Sequence, residues 1–155
     1  MNSEIVLIAD RIRAIADAYI KQHNGLMGFA GFCIAVSLAL QGALEKKGHQ
    51  SRVVRGRFQG REHAWVEVQG LIVDVTLDQF GNCFPRVFVG DTPDARYQEV
   101  IEDEEFDKLM GVDGDDVQWT YKVDDDEECS LGTTSSVARD LLVMGENADE
   151  SCNAG

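Results

Sequence analysis

The stretch from Arg61 to Leu77, REHAWVEVQGLIVDVTL, decides the fold. Two runs rich in valine and other β-formers flank Gln69-Gly70, which reads as the two-residue turn of a β-hairpin. With that turn, Val68 faces Leu71, Trp65 faces Asp74 and His63 faces Thr76. Side chains alternate across a strand, so His63, Trp65, Glu67, Ile72, Asp74 and Thr76 share one face. Ala64, Val66, Val68, Leu71, Val73 and Val75 share the other, a smooth apolar surface suited to a core. His63 and Asp74 become diagonal neighbours with Cβ atoms roughly 7 Å apart, a gap that an imidazole and a carboxylate can close. An odd-numbered turn would put them on opposite faces.

Upstream, Ile5, Ile8, Ile12, Ile15 and Tyr19 recur at helical spacing, with Arg11, Arg13, Asp17 and Lys21 elsewhere, so residues 3–23 are expected to be helical. Ser3 suits the start and Asn24-Gly25 the end. Residues 25–31 carry three glycines and read as a loop. A second helix is expected from Phe32 to Lys47, apolar around most of its circumference through Ile34, Val36, Leu38, Leu40 and Leu44, and therefore central. Gly48 terminates it.

Further strands are expected over Arg52–Phe58, Arg86–Val89 and Val117–Val123, with a turn at Asp91–Pro93. Residues 94–110 read as an acidic helix, 124–130 as an acidic loop and Ser135–Met144 as a short helix. The ten residues 146–155 should fray, leaving one domain over 1–145.

The chain has 155 residues, enough for one real core, and a net charge of −14. That charge argues against a nucleic-acid partner, since the phosphate backbone would repel it. No apolar run is long enough to span a membrane, and the N-terminus reads as an amphipathic helix instead of an export signal. A cytoplasmic location follows as the expectation. Cys33, Cys83, Cys129 and Cys152 are widely spaced and form no CxxC, so reduced thiols are expected and a zinc ribbon is not. Acids crowd between Glu99 and Glu128. Lys46, Lys47, Arg52, Arg55, Arg57 and Arg61 crowd between the two candidate site segments, either as a solvated face or as an attractor of acidic substrate.

Cys33, His63 and Asp74 together have the makings of a nucleophilic triad. A thiol in the first turn of a helix meets unpaired amides and the positive dipole end, which favour the thiolate. The imidazole takes its proton and the carboxylate orients the imidazole. The Cys33 amide can help bind the oxyanion of an acyl intermediate. Each residue alone has a plainer reading: an inert core cysteine, a satisfied strand histidine, a paired acid.

These residues resemble the transglutaminase-like superfamily of the wider papain-like group. The resemblance rests on Cys33 at a helix start, the run His63-Ala64-Trp65-Val66-Glu67-Val68 and the run Asp74-Val75-Thr76, and covers roughly residues 25–80. The segments CIAVSLALQGALEKKG and HAWVEVQG are also similar to the leader peptidases of lasso-peptide biosynthesis in the same superfamily. The resemblance implies an α+β fold with the nucleophile helix packed on an antiparallel sheet. It implies thioester chemistry on an amide bond of a protein or peptide substrate, as hydrolysis, deamidation or acyl transfer, with Cys33, His63 and Asp74 catalytic and with no cofactor or metal. Papain-like enzymes often carry an oxyanion-binding glutamine six residues before the cysteine, where this chain has Met27. Gln22 and Asn24 stand nearby as substitutes. Gln79 can orient His63 or touch substrate, and Trp65 can shield the His-Asp bond.

Two other readings compete. One is a catalytically silent transglutaminase-like binding module that uses its acidic surface. The other is an arylamine N-acetyltransferase-like acyltransferase, although the Arg-Gly-Gly of that family is replaced here by Phe29-Ala30-Gly31. Zinc on Cys33, His63 and Asp74 is disfavoured by the resemblance, and the acidic runs lack EF-hand spacing.

Overall fold

A computed structural model of the chain describes residues 2–22, 33–100, 118–124, 127–133 and 137–144. Helix α1 (Asn2–Gln22) buries Ile5, Ile8, Ile12, Ile15 and Tyr19, the stripe its spacing foretold. It begins at Asn2, so Ser3 lies inside the first turn. The end signal Asn24-Gly25 and the loop 25–31 fall outside the described residues. Helix α2 (Cys33–Lys46) is buried along most of its length. Gly48, at φ 85°, ends it in the left-handed conformation, and the His49 amide closes the last turn on the Leu44 carbonyl at 2.9 Å. A short helix, α3, covers residues 137–144.

The fold is α+β. Its five-stranded antiparallel sheet is built from β1 (Ser51–Phe58), β2 (Arg61–Val68), β3 (Leu71–Asp74), β4 (Phe88–Asp91) and β5 (Tyr97–Glu99), in the order β4-β3-β2-β1-β5. A separate hairpin pairs β6 (Gln118–Asp124) with β7 (Glu127–Thr133). Both β1–β2 and β2–β3 close through Gln-Gly turns. Gln59, Gly60, Gln69 and Gly70 all take positive φ, the backbone of a type I′ turn. Val68 pairs with Leu71 and Val66 with Val73, so the register is the one expected from the sequence.

The three helices pack on one face of the sheet. Val66, Val68, Leu71, Val73 and Val75 join the buried residues of α1 and α2, together with Val137 and Leu141 of α3. Each large side chain so buried contributes about 1.5–3 kcal/mol. The opposite face carries a second, aromatic core of Val54, Phe58, Trp65, Ile72, Leu77 and Tyr97, flanked by Phe80, Phe84 and Phe88. The sheet's outer strands curl toward each other over this core, since the rings of Phe88 on β4 and Tyr97 on β5 lie 6.1 Å apart.

Several expectations need correction. β3 stops at Asp74, and Leu77–Phe80 form a 3-10 turn in place of continued strand. β4 starts at Phe88 and takes in Asp91. Residues 97–99 are strand and not helix, because they pair with the edge of β1; 101–110 lie outside the described residues. The acidic segment from Glu127 onward is strand β7, held by its ladder to β6 despite its charge. Arg13, read as part of the polar side of α1, is only 5% exposed. No described helix is long and apolar enough to cross a membrane. The tail 146–155 also falls outside the described residues.

Candidate active site

The hairpin register delivers His63 and Asp74 to one another. Both are fully buried, and His63 Nε2 donates to Asp74 Oδ2 at 2.7 Å. The ladder between β2 and β3 ends at Val66 and Val73, so β3 has left its neighbour by the level of His63. Cys33, 3% exposed at the first turn of α2, packs on Ala64 from the helix side. It also lies close enough to His63 to favour the charged form of the ring. Nε2 is committed to Asp74, which leaves Nδ1 as the ring nitrogen able to take up a further proton.

Electrostatics favours a protonated ring here. Burial disfavours the charged form, but the charge of Asp74, the hydrogen bond to it and the contact with Cys33 outweigh burial and raise the imidazole from 6.5 to about 9.

Asp74 is held on both oxygens. The Thr76 amide donates to Oδ1 at 3.0 Å, and the Tyr97 hydroxyl donates to Oδ2 at 2.8 Å, beside His63. Burial, followed by the Asp74 charge and hydrogen bond, pushes the Tyr97 phenol far above its ordinary value, so it stays a donor. Tyr97 was not legible as a site residue. It comes from the outermost strand, 23 positions beyond Asp74. Gly56 on β1 lets β5 and Trp65 approach closely: a Cβ there would stand 2.1 Å from the Gln98 carbonyl oxygen and 2.6 Å from the Trp65 ring.

Gln79 meets the imidazole from the other side, its Nε2 lying 2.7 Å from His63 Nδ1. The 3-10 turn that carries it is fastened by Arg13. That guanidinium grips both carboxylate oxygens of Asp78 at 2.8 Å and also donates to the carbonyls of Val75 at 2.9 Å and Arg86 at 3.0 Å. The N-terminal helix thus fixes the turn beside the site. An isolated arginine in a helical pattern gives no sign of this role.

Trp65 is buried with its ring 6.1 Å from that of His63 and 4.9 Å from that of Tyr97. Phe80 closes edge-on against His63 at 4.9 Å. These rings keep water from the His63–Asp74 bond. Of the remaining candidates, Gln22 ends α1 exposed and makes no hydrogen bond to the His63 group among the described residues. Asn24 and Met27 lie outside them. Arg52 of the basic stretch is engaged by Glu67 at 2.9 Å and Glu99 at 3.0 Å. Among the described residues no group of three or more His, Cys, Asp or Glu could hold a metal ion, and Cys33 and Cys83 are free thiols.

Such an arrangement can chemically do one thing well. A thiol at a helix N-terminus can pass its proton to an imidazole whose charged form is favoured, and the resulting thiolate can attack an electrophilic carbon. No protein-family model, no curated protein and no solved structure matches the chain.

Proposed function

We propose that this protein is a cysteine-nucleophile enzyme with a transglutaminase-like core that acts on an amide bond of a protein or peptide through a thioester on Cys33. The observation that carries this reading is the fully buried His63–Asp74 bond of 2.7 Å, with the buried Cys33 close enough to act on the same imidazole. A buried ionisable pair is expensive to maintain for structure alone, since apolar residues of similar volume often do as well or better. Cys33 is the nucleophile, His63 its proton acceptor and Asp74 the group that fixes the ring. Peptidase, deamidase and acyl-transfer chemistry share this intermediate and differ in what attacks it.

The test is to incubate the protein with peptide amides, glutaminyl peptides among them, and measure intact mass after acid quenching. An acyl adduct on the Cys33 peptide, absent in Cys33→Ser, is the expected result. No adduct from any donor would refute the reading. The deep burial of Cys33 and His63 favours a second one, a catalytically silent binding module of the same architecture. That module would show neither adduct nor selective thiol reactivity.

A further inference from the structure

We infer that Arg55 forms a carboxylate-binding subsite beside Cys33, so that the amide bond attacked by the thiol lies next to an acidic group of the peptide substrate. This rests on the proposed thioester chemistry at Cys33. Side chains alternate along β1, and Val53 packs into the helix-side core, so Arg55 and Arg57 belong to that same face. Across the ladder Arg55 pairs with Ala64, and Cys33 packs on Ala64. Directly opposed residues hold their Cβ atoms about 4.5–5.5 Å apart, so Arg55 stands beside the residue on which the nucleophile rests.

The course of α2 gives the same placement. Gln41 donates to the Ser51 carbonyl at 3.2 Å, which fixes the later half of the helix over the start of β1. From Gln41 back to Cys33 the helix advances roughly 12 Å, and from Ser51 to Arg55 the strand advances roughly 13 Å. The start of α2 and Arg55 therefore come level. Arg57 lies two positions further along the same face, opposite Glu62.

Arg13, Arg52, Arg86 and Arg96 each meet a carboxylate. Arg55 faces an alanine instead. It is half-buried and meets no carboxylate among the described residues. Its Nε is shut off from solvent and has no hydrogen-bond partner among them. A buried N–H without an acceptor is costly, and a carboxylate matches the guanidinium fork with two parallel hydrogen bonds. The chain's net charge of −14 repels anions at long range, so a preference for an anion at Cys33 must be local.

Two reagents test the subsite. Iodoacetate and iodoacetamide alkylate a thiolate by the same displacement, and only the first carries a carboxylate. Both rates are to be read at the Cys33 peptide in wild type, Arg55→Gln and Arg55→Lys, with the exposed Cys83 as the reference thiol in the same molecule. The expected result is an iodoacetate-to-iodoacetamide ratio at Cys33 roughly tenfold above that at Cys83, lost in Arg55→Gln and partly restored in Arg55→Lys. End-blocked peptides with one glutamate should also slow iodoacetamide labelling of Cys33 in wild type, where their glutamine counterparts do not. Protection only by peptides whose sole carboxylate is the C-terminus would support the subsite and assign it to a chain end. If Arg55→Gln lowers both alkylation rates equally, Arg55 acts on the thiol and not on an incoming anion, and the inference is overturned. A wild-type ratio no higher than at Cys83 overturns it too, as does a lack of protection by any carboxylate; neither reading needs a variant to fold. Failure of the underlying triad reading looks different: alkylation of Cys33 would then be indifferent to His63→Ala. A Cys33 that neither reagent labels overturns both.

Discussion

Replacing Tyr97 by Phe removes one oxygen atom from the site and leaves nearly everything else. The ring would keep its contacts with Phe58 at 4.8 Å, Trp65 at 4.9 Å and Phe88 at 6.1 Å. What disappears is the 2.8 Å hydrogen bond to Asp74 Oδ2, the oxygen that also receives His63 Nε2–H at 2.7 Å. A hydrogen bond to a charged acceptor is worth about 1.5–3 kcal/mol, and that is the expected loss of folding stability at pH 7. The lost donor had been withdrawing charge from the carboxylate. Asp74, left with His63 and the Thr76 amide, becomes the stronger acceptor and holds the imidazolium more firmly. If about half of the lost energy is coupled to the ring proton, the His63 pKa rises by roughly 0.5–1 unit at 1.36 kcal/mol per unit. Titration of 15N-labelled imidazole by NMR in wild type and Tyr97→Phe measures this directly, with urea unfolding of both alongside. A His63 pKa that stays put or falls, with stability changed by less than about 0.5 kcal/mol, would show that Tyr97 merely fills space.

Three other consequences can be measured. Because the folded-state pKa of His63, about 9, lies above its unfolded value of 6.5, the stability it contributes is complete below pH 6.5 and is lost as pH rises through 9. The unfolding free energy from urea titrations should fall across that window by an amount on the order of 3 kcal/mol, and His63→Gln should flatten the fall. Arg13→Leu should destabilise the protein by about 3–5 kcal/mol in chemical unfolding, because it strands the partly buried Asp78 and the Val75 and Arg86 carbonyls; a loss under about 1 kcal/mol would contradict the clamp. Gly56→Ala should lower the melting temperature through overpacking of about 1–3 kcal/mol or more, since the new methyl collides with backbone at Gln98 as well as with Trp65. A neutral Gly56→Ala would mean that β5 does not close on β1 as described.

The hairpin was legible because a two-residue turn and strict alternation leave a single register, and the register alone places His63 beside Asp74. The same Gln-Gly pair recurs at Gln59-Gly60 and closes β1 on β2, so that turn too carried a local signal. The helices were legible for the same kind of reason, with boundaries within a residue or two. What local pattern could not reveal was contact across the sheet. β5 is three residues long and owes its form to the open edge of β1, so its acidic surroundings read as helix. β7 carries Glu127 and Glu128, and only the ladder to β6 makes it a strand. Tyr97 and Arg13 act on the site through partners 23 and 65 positions away in the chain. Nothing in the residues around them marks either partner.

The most direct test of the triad is the rate of Cys33 alkylation by iodoacetamide as a function of pH, in wild type and in His63→Ala, read at the Cys33 peptide because Cys83 is an exposed free thiol. The account predicts a reactive thiolate that titrates well below about 8.5 in wild type and shifts upward when the imidazole is removed. A Cys33 that does not react, or that titrates identically without His63, would contradict it.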